Sequence, residues 1–270
     1  MRYAFRLMLI VMILLVLALL VLRPGSPDKV NVAQILDKPS RVHWFGADLL
    51  GRDVFSRCSV GLRHSLGVVI AAEAIAGLAG MLGGAFAGRR TGGRRNRSRG
   101  FFDAELYLRA QPLLLLLFCL AALLRAWALG MVVALAIFST MYGLPFYRRE
   151  FARAFESPWY KGGVSSGAST GHLLGKIVFP MVAPGVMRYA ILDMASLVAF
   201  EGMLGMVGLT DPAMPSLGRM LYDGRTFLVS APWLFMAPGL FLMAIVVTLL
   251  VISRYRFPIT IAFAEEDRVT

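Results

Sequence analysis

The sequence predicts an all-α, polytopic membrane protein with about six transmembrane helices and a cytoplasmic helical segment between spans four and five. Three observations carry this. Of 270 residues, 58% are hydrophobic and 16% charged, whereas a soluble domain carries about 25% charged residues. The apolar residues fall in long blocks rather than in alternation. Of the 28 basic residues, 24 are Arg, gathered in short stretches beside those blocks. That pattern orients helices in a bilayer by the positive-inside rule, so the net charge of +12 is not read as a nucleic-acid footprint.

The blocks are taken in order. The first runs from about Phe5 to Leu22, after Arg2 and Arg6. No small-residue cleavage site follows it, so it reads as a retained anchor with a cytoplasmic N-terminus. The second, Leu66 to Ala87, holds Gly77, Gly80, Gly83 and Gly84, with Gly88 beside it. Small residues let helix backbones approach in lipid, where no hydrophobic force drives association. Six Arg follow between Arg89 and Arg99, which places that loop in the cytoplasm.

Residues Pro112 to Tyr142 are apolar except for Arg125. Both flanks are basic, so an even number of crossings is required, and a helical hairpin turning near Arg125–Trp127 fits. Further spans run from about Ala183 to Leu209 and from Pro232 to Ile252, which puts both termini inside. The chain divides into 1–65 (first helix plus an extracytoplasmic segment), 66–256 (transmembrane domain, with a loop at about 150–180) and 257–270 (tail).

Between spans four and five, Glu156, Ser157 and Pro158 suit the opening of a helix. Gly167 interrupts it, and Ser169 or Thr170 can cap a second helix running to Phe179. The segment reads as helix, glycine turn, helix. The stretch Thr170–Ile177 is not a phosphate-binding loop, because Thr170 and Ile177 occupy positions that need Gly and Ser or Thr. The two cysteines, Cys58 and Cys119, lie in unlike surroundings and suggest no disulfide. No paired His/Cys spacing suggests a metal site. Glu73, Asp193 and Glu201 lie within apolar runs, where an ionisable group costs about 2.5–3.5 kcal/mol and faces a cavity or a partner. They are candidates for a translocation path for a cation, or for structural pairing with Arg63 or Arg188.

Three stretches together resemble one family. Residues 41–66 supply His43, Phe45, Gly46, Asp48, Gly51, Arg52, Asp53, Ser56 and Arg57, then Gly61, Arg63, Ser65 and Leu66. In the loop, Lys161, Gly162 and Gly163 stand where the family pattern has E-A-A, and Gly167, Ala168 and Ser169 match the G-A-S that follows. Farther on, Glu201, Gly208, Leu209, Pro215, Gly218, Met220 and Leu221 fit a third stretch. The chain thus resembles the permease subunits of dipeptide, oligopeptide and nickel ABC importers over about residues 5–245.

That resemblance implies a non-catalytic permease of a bacterial inner membrane, moving a peptide, nickel or a metal–chelator complex by alternating access. It implies as partners a second homologous permease, forming a heterodimer, two ATP-binding subunits and a periplasmic or lipid-anchored solute-binding protein. ATP and Mg would bind in those partner subunits and no cofactor in this chain. Glu156, Trp159, Lys161, Gly162, Gly163, Gly167, Ala168 and Ser169 would couple to the ATPase, with Lys161 reversing the charge of the usual Glu. Residues His43, Phe45, Gly46, Asp48, Gly51, Arg52, Asp53 and Arg57 would form an extracytoplasmic motif, with Asp48 and Asp53 flanking Arg52 in a salt-bridged turn that no His joins at ligand spacing. The competing readings are a stand-alone secondary transporter, which commonly shows internal repeats, a membrane-embedded hydrolase, which needs a nucleophile with a base in reach, and a scaffold subunit without transport.

Overall fold

A computed structural model describes residues 29–41, 43–91, 113–124, 129–211 and 214–254. The expected first span, the turn at Arg125–Trp127, most of the Arg-rich loop and the 257–270 tail lie outside the described residues. The described elements are all helical. They are α1 (Val54–Thr91), α2 (Leu113–Leu124), α3 (Gly130–Glu156), α4 (Pro158–Ser165), α5 (Thr170–Leu173), a π-helical turn (Leu174–Val178), α6 (Phe179–Met206), α7 (Leu217–Gly224) and α8 (Trp233–Ser253), with short 3-10 turns at Val32–Gln34 and Arg225–Phe227.

Four stretches are long and apolar enough to cross a bilayer: Val54–Arg89, Gly130–Glu156, Thr170–Met206 and Trp233–Ser253. The 12 residues of α2 rise about 18 Å, short of a core about 30 Å thick. The described part of the 112–142 block therefore does not divide into two equal spans. Its second arm continues to Glu156, because the helix persists through the polar residues after Tyr142.

Two other boundaries depart from the sequence reading. The helix expected from Leu66 begins at Val54, inside the polar motif. Asp53 causes this early start: its Oδ2 accepts from the Ser56 N–H at 2.8 Å, a side-chain cap on the first turn. The helix expected to end at Phe179 instead runs on through Pro180 and Pro184 to Met206. Proline has no N–H to give, and the π-helical turn at Leu174–Val178 sits where the ladder must adjust.

The core is built on α1 against α3, the most extensive helix pair. Glu73, Gly77, Gly80, Gly84 and Gly88 fall at three- and four-residue spacing, hence on one face. A Cβ on Gly84 would lie 2.9 Å from the Tyr147 carbonyl carbon, and one on Gly88 would lie 3.0 Å from the Ala152 nitrogen. The glycines thus bring the two backbones together, and the fully buried Tyr147 ring lies across the groove they leave. The same economy recurs where α7 crosses α6. A Cβ on Gly218 would sit 2.8 Å from the Gly205 Cα. Helices α6, α7 and α8 pack around that crossing.

Candidate functional site

Three polar assemblies stand out: a cap at the N-terminal end of α1, a carboxyl cluster inside the bundle, and a short helix at the opposite end.

The cap is built around Asp48. Its Oδ1 accepts from the N–H of Leu50 at 2.8 Å and of Arg52 at 2.9 Å. Its Oδ2 takes Arg52 Nε at 2.8 Å and Arg57 Nη1 at 2.5 Å. Burial by itself would raise the Asp48 carboxyl. The Arg52 and Leu50 N–H groups and the charge on Arg57 more than offset this and hold it below its ordinary value. The loop closes on itself at the Ala47–Asp53 bridge. Gly46 and Gly51 have φ of +71° and +67°, and a Cβ on either would strike the backbone of Asp37 or Asn31. The cap is pinned to the last span by Trp233, whose indole N–H donates to the Ala47 carbonyl at 3.3 Å. The Phe45, Phe55 and Phe241 rings pack beneath it.

The expected salt-bridged turn forms around Asp48 and Arg52, and a histidine joins it through Asp53 as well. His43 Nδ1 lies 3.1 Å from Asp53 Oδ1, and its Nε2 lies 3.2 Å from Gln34 Oε1. The ring orients the side chain that caps α1. The fold joins His43 and Asp53 across ten residues, which a search for close ligand spacing does not reach.

Inside the bundle, Glu73 of α1 and Asp193 of α6 are 7% and 6% exposed, and both lie within reach of the Ser139 hydroxyl. Ser139 of α3 donates to Asp193 Oδ2 and lies 3.5 Å from Glu73 Oε2. The expected partners were Arg63 or Arg188; the side chain that reaches both Glu73 and Asp193 is Ser139. Sequence reasoning missed Ser139. Its only signal was a hydroxyl, beside that of Thr140, in a mostly apolar run. Glu201 belongs elsewhere. It is 1% exposed and lies beside Ser65 and Ser216, at the α6–α7 crossing.

At the opposite end, Ser157 caps α4 by accepting from the Tyr160 N–H at 3.2 Å, and Pro158 follows in the first turn. Gly167 turns the chain with φ +77°, and Ser169 accepts from the His172 N–H to open α5. The Tyr160 ring meets Phe155 with centroids 5.1 Å apart, and Gly163 lies against Leu173. Gly163 thus packs on the end of the Leu173 side chain, whereas Gly162 faces open space. Trp159 is 45% exposed and Val164 53%. Glu156, Lys161, Gly167 and Ser169 are also exposed, and Ala168 is half-buried.

Comparison with known proteins gives this architecture a family. The model of the "Binding-protein-dependent transport system inner membrane component" family matches residues 80–254. That is more than half of the chain, and the chain belongs to this family. It is 29% identical over 235 residues to the "Probable D,D-dipeptide transport system permease protein" of Escherichia coli (strain K12), covering 85% of this chain and 78% of that protein. It is 30% identical over 226 residues to the "Dipeptide transport system permease protein" of Alkalihalophilus pseudofirmus, covering 83% and 73%. Among solved structures, a chain of the inward-facing MetNI methionine ABC transporter aligns with a TM-score of 0.54 at 18% identity, over 72% of this chain and 91% of that one. A second amino acid ABC transporter aligns with a TM-score of 0.52 at 15% identity, over 73% and 91%. These two likenesses concern the fold. The protein is a multi-pass inner-membrane component of a binding-protein-dependent transport system.

Proposed function

We propose that the chain is the permease subunit of a peptide-class ABC importer, gripped by a separate ATPase through α4 and the turn that follows it. One observation carries this reading. A capped helix with an exposed Trp159, an exposed Lys161 and Gly162 facing open space projects from the end of the bundle where α3 stops. A lone helix of 8 residues is marginal in water, so a partner surface would complete its packing.

The relatives' names support a di- or oligopeptide solute, and nickel or a metal–chelator complex fits the resemblance as well. Two ATP-binding subunits, holding ATP and Mg, would dock on this chain and on a second homologous permease. A solute-binding protein would deliver cargo at the other face. ATP can turn such an assembly between inward- and outward-open states only by binding one of them better. The cap at 43–57 would brace the outer end, since its polar groups are spent on one another. Burial this complete inside one chain's bundle supports a structural role for Glu73, Asp193 and Glu201 rather than a place on the solute path.

The test is co-purification of the complex in mild detergent. Val164→Arg places a charge on the exposed face of α4 and should release the ATP-binding subunit, while Leu82→Ser on the exposed face of α1 should not. Retention of the ATPase by both variants would remove the reading.

A further inference from the structure

We infer that the groove between α3, α6 and α8, at the end of the bundle that carries α4, is a binding site for one anionic phospholipid. The groove is open on one side, has a volume of about 680 Å³ and is lined in part by Arg153, Arg188, Arg254, Phe146, Tyr189 and Leu250. Three guanidinium groups stand against one carboxylate, Glu150, which Arg153 engages at 2.8 Å. The balance left by Arg188 and Arg254 suits a phosphate, which guanidinium groups bind in a fork.

The lining is graded along the bundle. Arg153 and Arg254 sit at the ends of their helices. One to two turns deeper, Phe146 and Tyr189 stack with centroids 4.3 Å apart. Leu250 and Leu192 come at that depth and below, and both are exposed. Arg188 lies at the aromatic level, and its long stem lets the charged head rise toward the interface.

The walls do not end at the groove. On α8 the exposed residues Leu250, Val247, Met243 and Leu240 repeat at three- and four-residue spacing, so they form one stripe leading out of it. Ten residues descend about 15 Å, which is the depth of one leaflet of a core about 30 Å thick. A cationic mouth, an aromatic collar and an apolar track match headgroup, glycerol and acyl chain in that order. Basic pockets between transmembrane helices on the cytoplasmic side recognise anionic headgroups in this manner. A peptide would supply the carboxylate but has no use for a hydrophobic track that opens onto the bilayer.

The experiment uses the intact chain with the subunits that co-purify with it. The complex is stripped of lipid, then offered phosphatidylglycerol or phosphatidylethanolamine with identical acyl chains, and retained lipid is counted by native mass spectrometry. Phosphatidylglycerol should be retained roughly tenfold more. The doubly substituted Arg188→Gln, Arg254→Gln chain should lose that preference, and Arg188→Lys, Arg254→Lys should keep most of it. The inference is overturned if the unaltered chain shows no headgroup preference, if the Gln variant keeps it, or if the Lys variant loses it. A photo-crosslinker at residue 250 should react with lipid in native membranes; reaction with a protein chain would show that a subunit, not a lipid, covers the groove.

Discussion

The cap at residues 43–57 and the segment at 157–169 look alike on paper. Each is short, polar and marked by glycines in a chain that is otherwise apolar. In three dimensions they are opposites. Asp48 meets two N–H groups and two arginines, and Trp233 of the last span closes over the loop. At the other end Ser157 and Ser169 cap their own helices, while Trp159, Lys161 and Gly162 face outward. A motif whose polar groups are consumed internally is a brace. A motif whose side chains stand exposed offers a contact surface. The difference teaches that glycine and charge patterns announce a constrained segment without saying what constrains it.

Substitutions can break this contrast, and the largest effect belongs to the brace. Asp48→Ala strands two arginines and two N–H groups in a mostly buried setting. It should cost about 3 kcal/mol, in line with removing one partner of a buried ion pair, read as a lower unfolding temperature in detergent. Acid should act through the same atom. A carboxyl held below its ordinary value of 3.8 contributes stability that is fully present above that value and is lost as pH falls through the lowered one. The intact chain should therefore lose more unfolding temperature than Asp48→Asn when pH is taken down through this range. Equal losses would show that Asp48 carries no such linkage.

At the contact surface the effects on the isolated chain should be small. Ser157→Ala removes one cap and should cost about 1 kcal/mol, confined to α4. Hydrogen exchange should report faster amides at 158–165 with α1 and α3 unchanged. Lys161→Glu alters a side chain that faces outward and should change stability by less than about 0.5 kcal/mol, while changing how much ATPase co-purifies. A large loss of stability from Lys161→Glu would mean that α4 is packed far more tightly than its contacts indicate.

The legibility of the sequence follows the same division. Local chemistry was readable: Ser157 with Pro158, the Gly167 turn, the Ser169 cap, and the glycine face of α1 all act where their spacing places them. Long-range register was not. Nothing in the run around Glu73 announces that Ser139 and Asp193 gather beside it, because that depends on how α1, α3 and α6 align over a sequence separation of 120 residues. His43 and Asp53 were both singled out, yet their contact needed the fold of the loop. Helix ends failed where tertiary or capping effects overrode composition. Asp53 starts α1 twelve residues before the apolar run at Leu66, and the π-helical turn carries the chain past Pro180. The groove at α3, α6 and α8 escaped notice because its arginines come from three separate helices.

The central claim is that α4 is held by a nucleotide-binding subunit, and Gly162 offers the most direct measurement. Nothing lies within 4 Å of a Cβ placed there, so a cysteine fits without disturbing the helix. In a Cys119→Ser background, which removes the one exposed native thiol among the described residues, Gly162→Cys should cross-link to the ATP-binding subunit in intact membranes, and added ATP should change the yield. A Gly162→Cys thiol that reacts with an impermeant reagent from outside the cell, or that cross-links to no nucleotide-binding chain, would contradict the account.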